Sequence, residues 1–368
     1  MHVGMSTFFQ NLTGRHTDGE VYRHELSMAD LAEPLGFDGV WAPEHHFDDY
    51  TMCPNVIQFL TWVAARTTRV KLGSMVVVLP WHDPMWVAEQ FAVLDHVSGG
   101  RGILGIGRGL GRIEFEGYRI PMHESRQRFV EYADAIIKGF ATGYLEYDGA
   151  LYQQPRTAIR PFPLRPLAGR IYASAASPES APVMARLGVG IMIIAQKPWP
   201  AVVAELDTYR QVYREVNGAE APKPLLVTFT AVHESEAGAR EMYERYIMGY
   251  CRSALEHYEF ANAHLATIPG YEYYGKLAAN LATHGSEPFL RFLADLQVWG
   301  TPARVTEQII ENIRLIDGAG VICVFSYGGM PHDVAKASIR LFAEKVLPTL
   351  RAHDVGVRVG ESMPAAAA

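Results

Sequence analysis

Eight short apolar runs alternate with amphipathic stretches along the chain, and this alternation limits the fold more than any other feature. The runs cover residues 2–9, 39–44, 70–80, 101–109, 170–176, 189–196, 224–235 and 321–330. Between them lie segments of helical periodicity, among them 20–36, 55–68, 85–98, 126–141 and 301–320. The run "VKLGSMVVVLP" (70–80) is apolar almost throughout, as a strand covered on both faces should be. Strands that alternate with helices eight times predict a (β/α)8 TIM barrel. A doubly wound open sheet is the alternative, since the early βαβ units fit it equally well. The spacing predicts one domain over 1–354, with insertions at about 143–169 and about 260–297. The first insertion reads as a hairpin around Asp148-Gly149 followed by a proline-rich crossing. The last residues, 355–368, are expected to be disordered.

Composition removes several function classes. The chain has 368 residues, 49% hydrophobic and 20% charged, which allows a large core. Its formal net charge is −7 and no basic run occurs, so nucleic acid and anionic membrane are poor partners. No apolar run approaches the ~20 residues that span a bilayer. The start "MHVGMSTFFQ" lacks the charged and apolar regions of a signal peptide. Cys53, Cys251 and Cys323 are far apart and make neither a disulfide framework nor a zinc spacing. A cytoplasmic protein is expected.

Three stretches carry candidate chemistry. In "GVWAPEHHFDDY" (39–50) a strand ends at Pro43 and presents Glu44, His45 and His46. In a barrel that position is the catalytic rim, at the C-terminal strand ends; the plainer reading is polar residues capping a turn. In "SGGRGILGIGRGLGR" (98–112), glycines alternate around Arg108. A dinucleotide fingerprint needs a helix straight after the strand and an acidic residue further on, and neither follows here. A better reading is a strand whose missing side chains make room for a flat ligand, with Arg108 reaching a phosphate. An arginine in a surface ion pair is the bland alternative. In "ASAASPESA" (173–181), Ser174 and Ser177 lie near a strand end, and Ser177-Pro178-Glu179-Ser180 opens a helix that would bind an anion or simply be capped. No metal site is expected, because adjacent histidines alternate faces and "EHH" lacks the i, i+4 spacing of a zinc helix. No G-x-S-x-G elbow supports serine hydrolysis.

Together, "GFDGVWAPEHHF" (36–47), the segment 70–109 and "GTPARVTEQIIENI" with "VICVFSYGG" and "IRLFAEKVLPTL" resemble the bacterial luciferase-like family of flavin-dependent monooxygenases. The resemblance covers nearly the whole chain, in order. It implies reduced FMN at the C-terminal rim, with O2 as co-substrate and a flavin C4a-hydroperoxide that passes one oxygen atom to a small organic substrate. By position it implies His45 as the catalytic residue beside the ring. It implies a non-proline cis peptide at Met75-Val76 beneath the ring, and Arg108 on the phosphate with Ser174, Ala175, Ser177, Glu179 and Ser180. Phe8, Glu44, His46, Tyr271 and Tyr273 are the expected substrate or lid residues, with Tyr274 beside them; a dimer patch is the other reading of these tyrosines. The luciferases proper carry a cysteine where this chain has Gly107, so light emission does not follow. With no NADH fingerprint visible, a separate NAD(P)H:flavin reductase is the expected partner, and a homodimer the expected assembly. The alternatives are a deazaflavin-dependent dehydrogenase of the same fold and a non-catalytic flavin-binding subunit. Hydroxylation and Baeyer–Villiger insertion both stay open.

Overall fold

The computed structural model describes residues 1–174 and 179–361. Its strands are β1 (His2–Ser6), β2 (Gly39–Ala42), β3 (Lys71–Ser74), β4 (Val77–Val78), β5 (Gly102–Gly107), β6 (Tyr144–Asp148), β7 (Gln153–Ala158), β8 (Ile171–Ser174), β9 (Gly190–Ile194), β10 (Leu225–Val232), β11 (Val298–Gly300) and β12 (Gly320–Val324). The order β12-β1-β2-β3-β5-β8-β9-β10 closes on itself, because β10 pairs in parallel with both β9 and β12. This closure removes the open-sheet alternative and gives a (β/α)8 barrel. The eight predicted strands are the eight barrel strands. Short β11 extends the far end of β10, and β6 and β7 form the antiparallel hairpin of the first insertion.

Close packing explains much of the glycine pattern. Trp41 on β2 is fully buried. A Cβ at Gly4, Gly39 or Gly73 would come within 2.5, 2.9 and 2.1 Å of its indole, so three adjacent strands give up side chains to seat one ring. The run read as one strand over 70–80 is interrupted. A cis peptide joins Met75 and Val76, β4 resumes at Val77, and a 3-10 turn covers Leu79–Trp81. The glycines of β5 answer this break. A Cβ at Gly105 would lie 2.0 Å from the Ser74 carbonyl, and one at Gly107 would lie 2.3 Å from the Val76 side chain. The room at Gly105 is therefore taken up by the neighbouring strand, while Gly107 packs against Val76 and lines the cleft at the C-terminal strand ends.

The second insertion is more regular than its sequence suggests. Residues 266–286 lack clean periodicity because Pro269, Gly270 and Gly275 interrupt them. Yet Tyr274, Ala278 and Leu281 fall on one buried face of a helix, Glu272–His284, which is followed by another, Glu287–Asp295. The tail also departs from expectation. Val359 is buried and the Lys71 ammonium donates to the Gly360 carbonyl at 3.2 Å, so Val359 and Gly360 lie against the barrel. Residues 362–368 fall outside the described part. Among the described residues no helix is long and apolar enough to cross a membrane.

One buried ion pair locks the barrel wall. Asp95, on the helix Pro84–Val97, binds the guanidinium of Arg170, and both are essentially unexposed. Arg170 also donates to the Gly102 carbonyl through Nε at 3.0 Å, and Asp95 accepts the Arg165 N–H at 3.0 Å. Removing one partner strands a charge without solvent. Asp95→Ala is expected to cost about 3–5 kcal/mol of stability, read by urea unfolding.

Candidate active site

A cleft of about 920 Å³, its mouth included, opens at the C-terminal ends of β2, β4, β5 and β8. Pro43 ends β2, and the residues after it diverge in two directions. His45 lines the cleft, while His46 is buried away from it. This is the alternation of an extended chain. Glu44 is buried and ties the rim together. One oxygen meets His46 Nε2 at 2.9 Å and His82 Nε2, and the other accepts the Val78 N–H at 2.9 Å. Burial alone would raise the Glu44 pKa, but the bonds from His46 and His82 outweigh it and the net shift is downward. The Tyr118 hydroxyl completes the group, 3.0 Å from His46 Nδ1.

His45 is held by Glu114, which lies on the helix Arg112–Tyr118 and is wholly buried. Glu114 Oε1 is 2.8 Å from His45 Nδ1 and accepts the His46 N–H at 3.1 Å. The carboxylate accepts a hydrogen bond from Nδ1–H, so the neutral ring presents the Nε2 lone pair toward the cleft. The Tyr258 hydroxyl lies 3.3 Å from that nitrogen. Burial lowers the His45 pKa, but the charge and hydrogen bond of Glu114 outweigh it and the net shift is upward. The stability tied to this raised value is fully present below the unfolded value of about 6.5 and is lost as pH rises through the folded one. Glu114→Gln should therefore lose more stability near pH 5.5 than near pH 8.5, measured by urea unfolding at both.

Two trios of close donors sit at this rim: Glu44 with His46 and His82, and His45 with Glu114 and His257. The adjacent histidines thus join different groups, as their alternation requires. His257 Nδ1 also bonds Asp48, and its ring stacks on Tyr50 at 4.2 Å.

The other end of the cleft is cationic. Arg108 donates to the Gly270 carbonyl at 2.8 Å, and its guanidinium lies 3.8 Å over the Tyr271 ring. Arg126, from the first turn of the helix Ser125–Thr142, donates to the same carbonyl at 3.4 Å. The Arg126 pKa is lowered by burial and then by the charge of Arg108. Two guanidiniums carry about ten N–H donors, yet among the described residues both hydrogen-bond only this one carbonyl. That surplus fits a doubly charged anion. Ser174 and Ser180 line the same cleft. Glu179 precedes the short helix Ser180–Arg186, and Ala175 and Ser177 lie outside the described residues.

The remaining expected residues are divided. Met75 and Val76 line the cleft through their cis peptide, and so does Tyr274. Phe8 is buried behind the cleft, edge-on to Tyr50, Phe229 and Tyr250. Tyr271 is fully buried beneath Arg108, and its hydroxyl donates to the Gly109 carbonyl at 2.9 Å, so it braces the cationic end instead of covering it. Tyr273 lines a second, smaller cavity, which shares Gln196 and Tyr274 with the cleft. Sequence reasoning missed Glu114, Arg126, His257 and Tyr258. An arginine at the first residue of the predicted helix, 126–141, was a usable signal for Arg126; the others carry no local pattern.

A family model described as luciferase-like monooxygenase matches residues 1–317. The alkanal monooxygenase alpha chain of Photobacterium leiognathi is 26% identical over 346 residues, covering 90% of this chain and 94% of that one. The oxygenating constituent of 3,6-diketocamphane monooxygenase from Pseudomonas putida, solved with FMN, superposes with a TM-score of 0.73 at 18% identity, covering 95% and 99%. An F420-dependent secondary alcohol dehydrogenase superposes with a TM-score of 0.69 at 13% identity, also covering 95% and 99%.

Proposed function

The chain belongs to the luciferase-like monooxygenase family, and from that premise we propose that it is the oxygenase of a two-component system working with reduced FMN and O2. The observation that carries this reading is the cleft's polarity: Arg108 and Arg126 at one end, His45 with Glu114 at the other. Arg108, Arg126, Ser174 and Ser180 would hold the cofactor phosphate, with Ala175, Ser177 and Glu179 beside them. Met75, Val76 and His45 would meet the ring. Reduced FMN supplies the electrons that activate O2 for insertion of one oxygen atom into substrate. His45 Nε2 is the group able to hold or give a proton there. A separate NAD(P)H:flavin reductase supplies the reduced cofactor.

The lining beyond the cleft supports an uncharged substrate such as an aldehyde, a ketone or an aromatic ring. Phe260, Tyr273, Tyr274, Leu277 and Phe289 line the second cavity. Its one charged lining residue, Lys197, is paired with Glu205. The test is a titration of the protein with FMN, reduced FMN and reduced deazaflavin, followed by turnover under 18O2 with added flavin reductase. Preference for reduced FMN and one labelled atom in the product support the reading. Preference for deazaflavin and hydride transfer without label would replace it with the dehydrogenase.

A further inference from the structure

Hydrogen bonding separates the two trios of donors at the rim. Glu44, His46 and His82 satisfy one another: both imidazoles meet one Glu44 oxygen, and the Val78 N–H meets the other. In the trio of His45, Glu114 and His257, two atoms are left over. Glu114 Oε1 is bonded to His45 Nδ1 and to the His46 N–H. Glu114 Oε2 and His257 Nε2 are sealed from solvent without a hydrogen-bond partner, on side chains that are 0% and 2% exposed. Orphaned polar atoms at this depth are costly, and a native fold keeps them for a reason. They lie 3.9 Å apart. That is too long for a hydrogen bond and close to the ~4 Å spanned by a nitrogen and an oxygen bound to one zinc ion. Glycine at position 111 keeps their flank clear, since a Cβ there would lie 2.4 Å from Glu114 Oε2 and 3.2 Å from His257 Nε2.

The geometry points to a binding site for one divalent cation of the zinc type, held by His257 Nε2, Glu114 Oε2 and His45 Nδ1. The ligand atoms of these three residues all lie within 4.8 Å of one another. Two imidazoles and a carboxylate suit Zn2+, with a water as fourth ligand. The ligands are already oriented. His257 Nδ1 bonds the Asp48 carboxylate, which places the proton there and leaves the lone pair on Nε2. A carboxylate behind the ring is the usual outer partner of a zinc-binding histidine. The ring is also stacked on Tyr50 at 4.2 Å. His45 and Glu114 line the cleft, which gives a cation a way in. No spacing in the sequence marks the set, because its members stand at positions 45, 114 and 257. Coordination displaces the proton from His45 Nδ1. The ring regains one at Nε2, where the Tyr258 hydroxyl oxygen stands 3.3 Å away, so the nitrogen that faces the cleft changes from acceptor to donor. The cation site itself does not depend on the reading of the cleft as a flavin site.

The test is a calorimetric titration of the metal-free protein with zinc chloride. One equivalent is expected to bind with a Kd of about 10 μM or tighter. His257→Phe and Glu114→Gln each weaken binding at least about hundredfold, and Asp48→Asn, which only orients a ligand, weakens it about tenfold. His82→Phe, in the satisfied trio, leaves the affinity within about twofold of the wild type. A second measurement needs no variant: in the 15N NMR spectrum of the wild-type protein, zinc should move the ring resonances of His45 and His257 and leave those of His46 and His82 in place. Weaker binding by the wild type than this overturns the site. Unchanged affinity in His257→Phe, or movement of the His46 and His82 resonances instead, places the ion elsewhere and overturns it too.

Discussion

Arg108→Met lowers FMN affinity by about a hundredfold and leaves riboflavin affinity nearly unchanged. A charge-assisted hydrogen bond contributes about 1.5–3 kcal/mol, and a bidentate guanidinium contact to phosphate contains two. Each 1.4 kcal/mol is about tenfold. Riboflavin lacks the phosphate, so it separates loss of the anion site from general damage. The variant also removes one of the two donors to the Gly270 carbonyl and uncovers the Tyr271 ring, both of which now meet the Arg108 guanidinium. Arg126→Met gives the same pattern. The double variant costs less than the sum, because both side chains converge on one point, where Gly270 accepts from both. Isothermal titration with the two flavins measures all of this.

His45→Ala gives the second large effect. Product formation falls by roughly 10²–10⁴, the usual contribution of a positioned acid or base. FMN binding changes only a few-fold, because the phosphate end is intact. Reduced flavin still consumes O2 but releases peroxide instead of oxygenated product, and the peroxide yield read beside the product yield reports this. Glu114→Gln changes both yields in the same direction by a smaller factor. The imidazole remains, but the amide no longer fixes which nitrogen faces the cleft. Product formation no higher than the protein-free background in wild type and His45→Ala alike would favour a flavin-binding barrel without chemistry of its own.

The architecture was legible because strand and helix periodicities are local. Eight apolar runs marked eight barrel strands, and the helical segment that begins at Asn55 is opened by it: Asn55 caps the helix Val56–Ala64 by accepting the Gln58 N–H at 2.9 Å. Features set by contacts distant in the chain were hidden. The glycines of β5 resembled a ligand-facing gap; Gly107 does line the cleft, yet the space at Gly105 is filled by the Ser74 carbonyl from a strand some thirty residues earlier. His45 and Arg108 stand out within short motifs. Glu114 lies 69 positions from the histidine it orients, and Tyr258 lies 213 from the same ring. An ordinary glutamate on a helix and a tyrosine at a helix end carry no mark of partners so far away. Tyr271 was misread for a related reason. The family resemblance suggested a lid, but its place under a guanidinium depends on the fold that brings Gly109, Ser125 and Arg108 to it.

A crystal structure of the protein soaked with FMN tests the central claim most directly. The phosphate should lie between Arg108 and Arg126, with the ring against Met75 and Val76 and its reactive edge within reach of His45 Nε2. Density for the phosphate at another site, or a ring turned away from His45, would contradict the account.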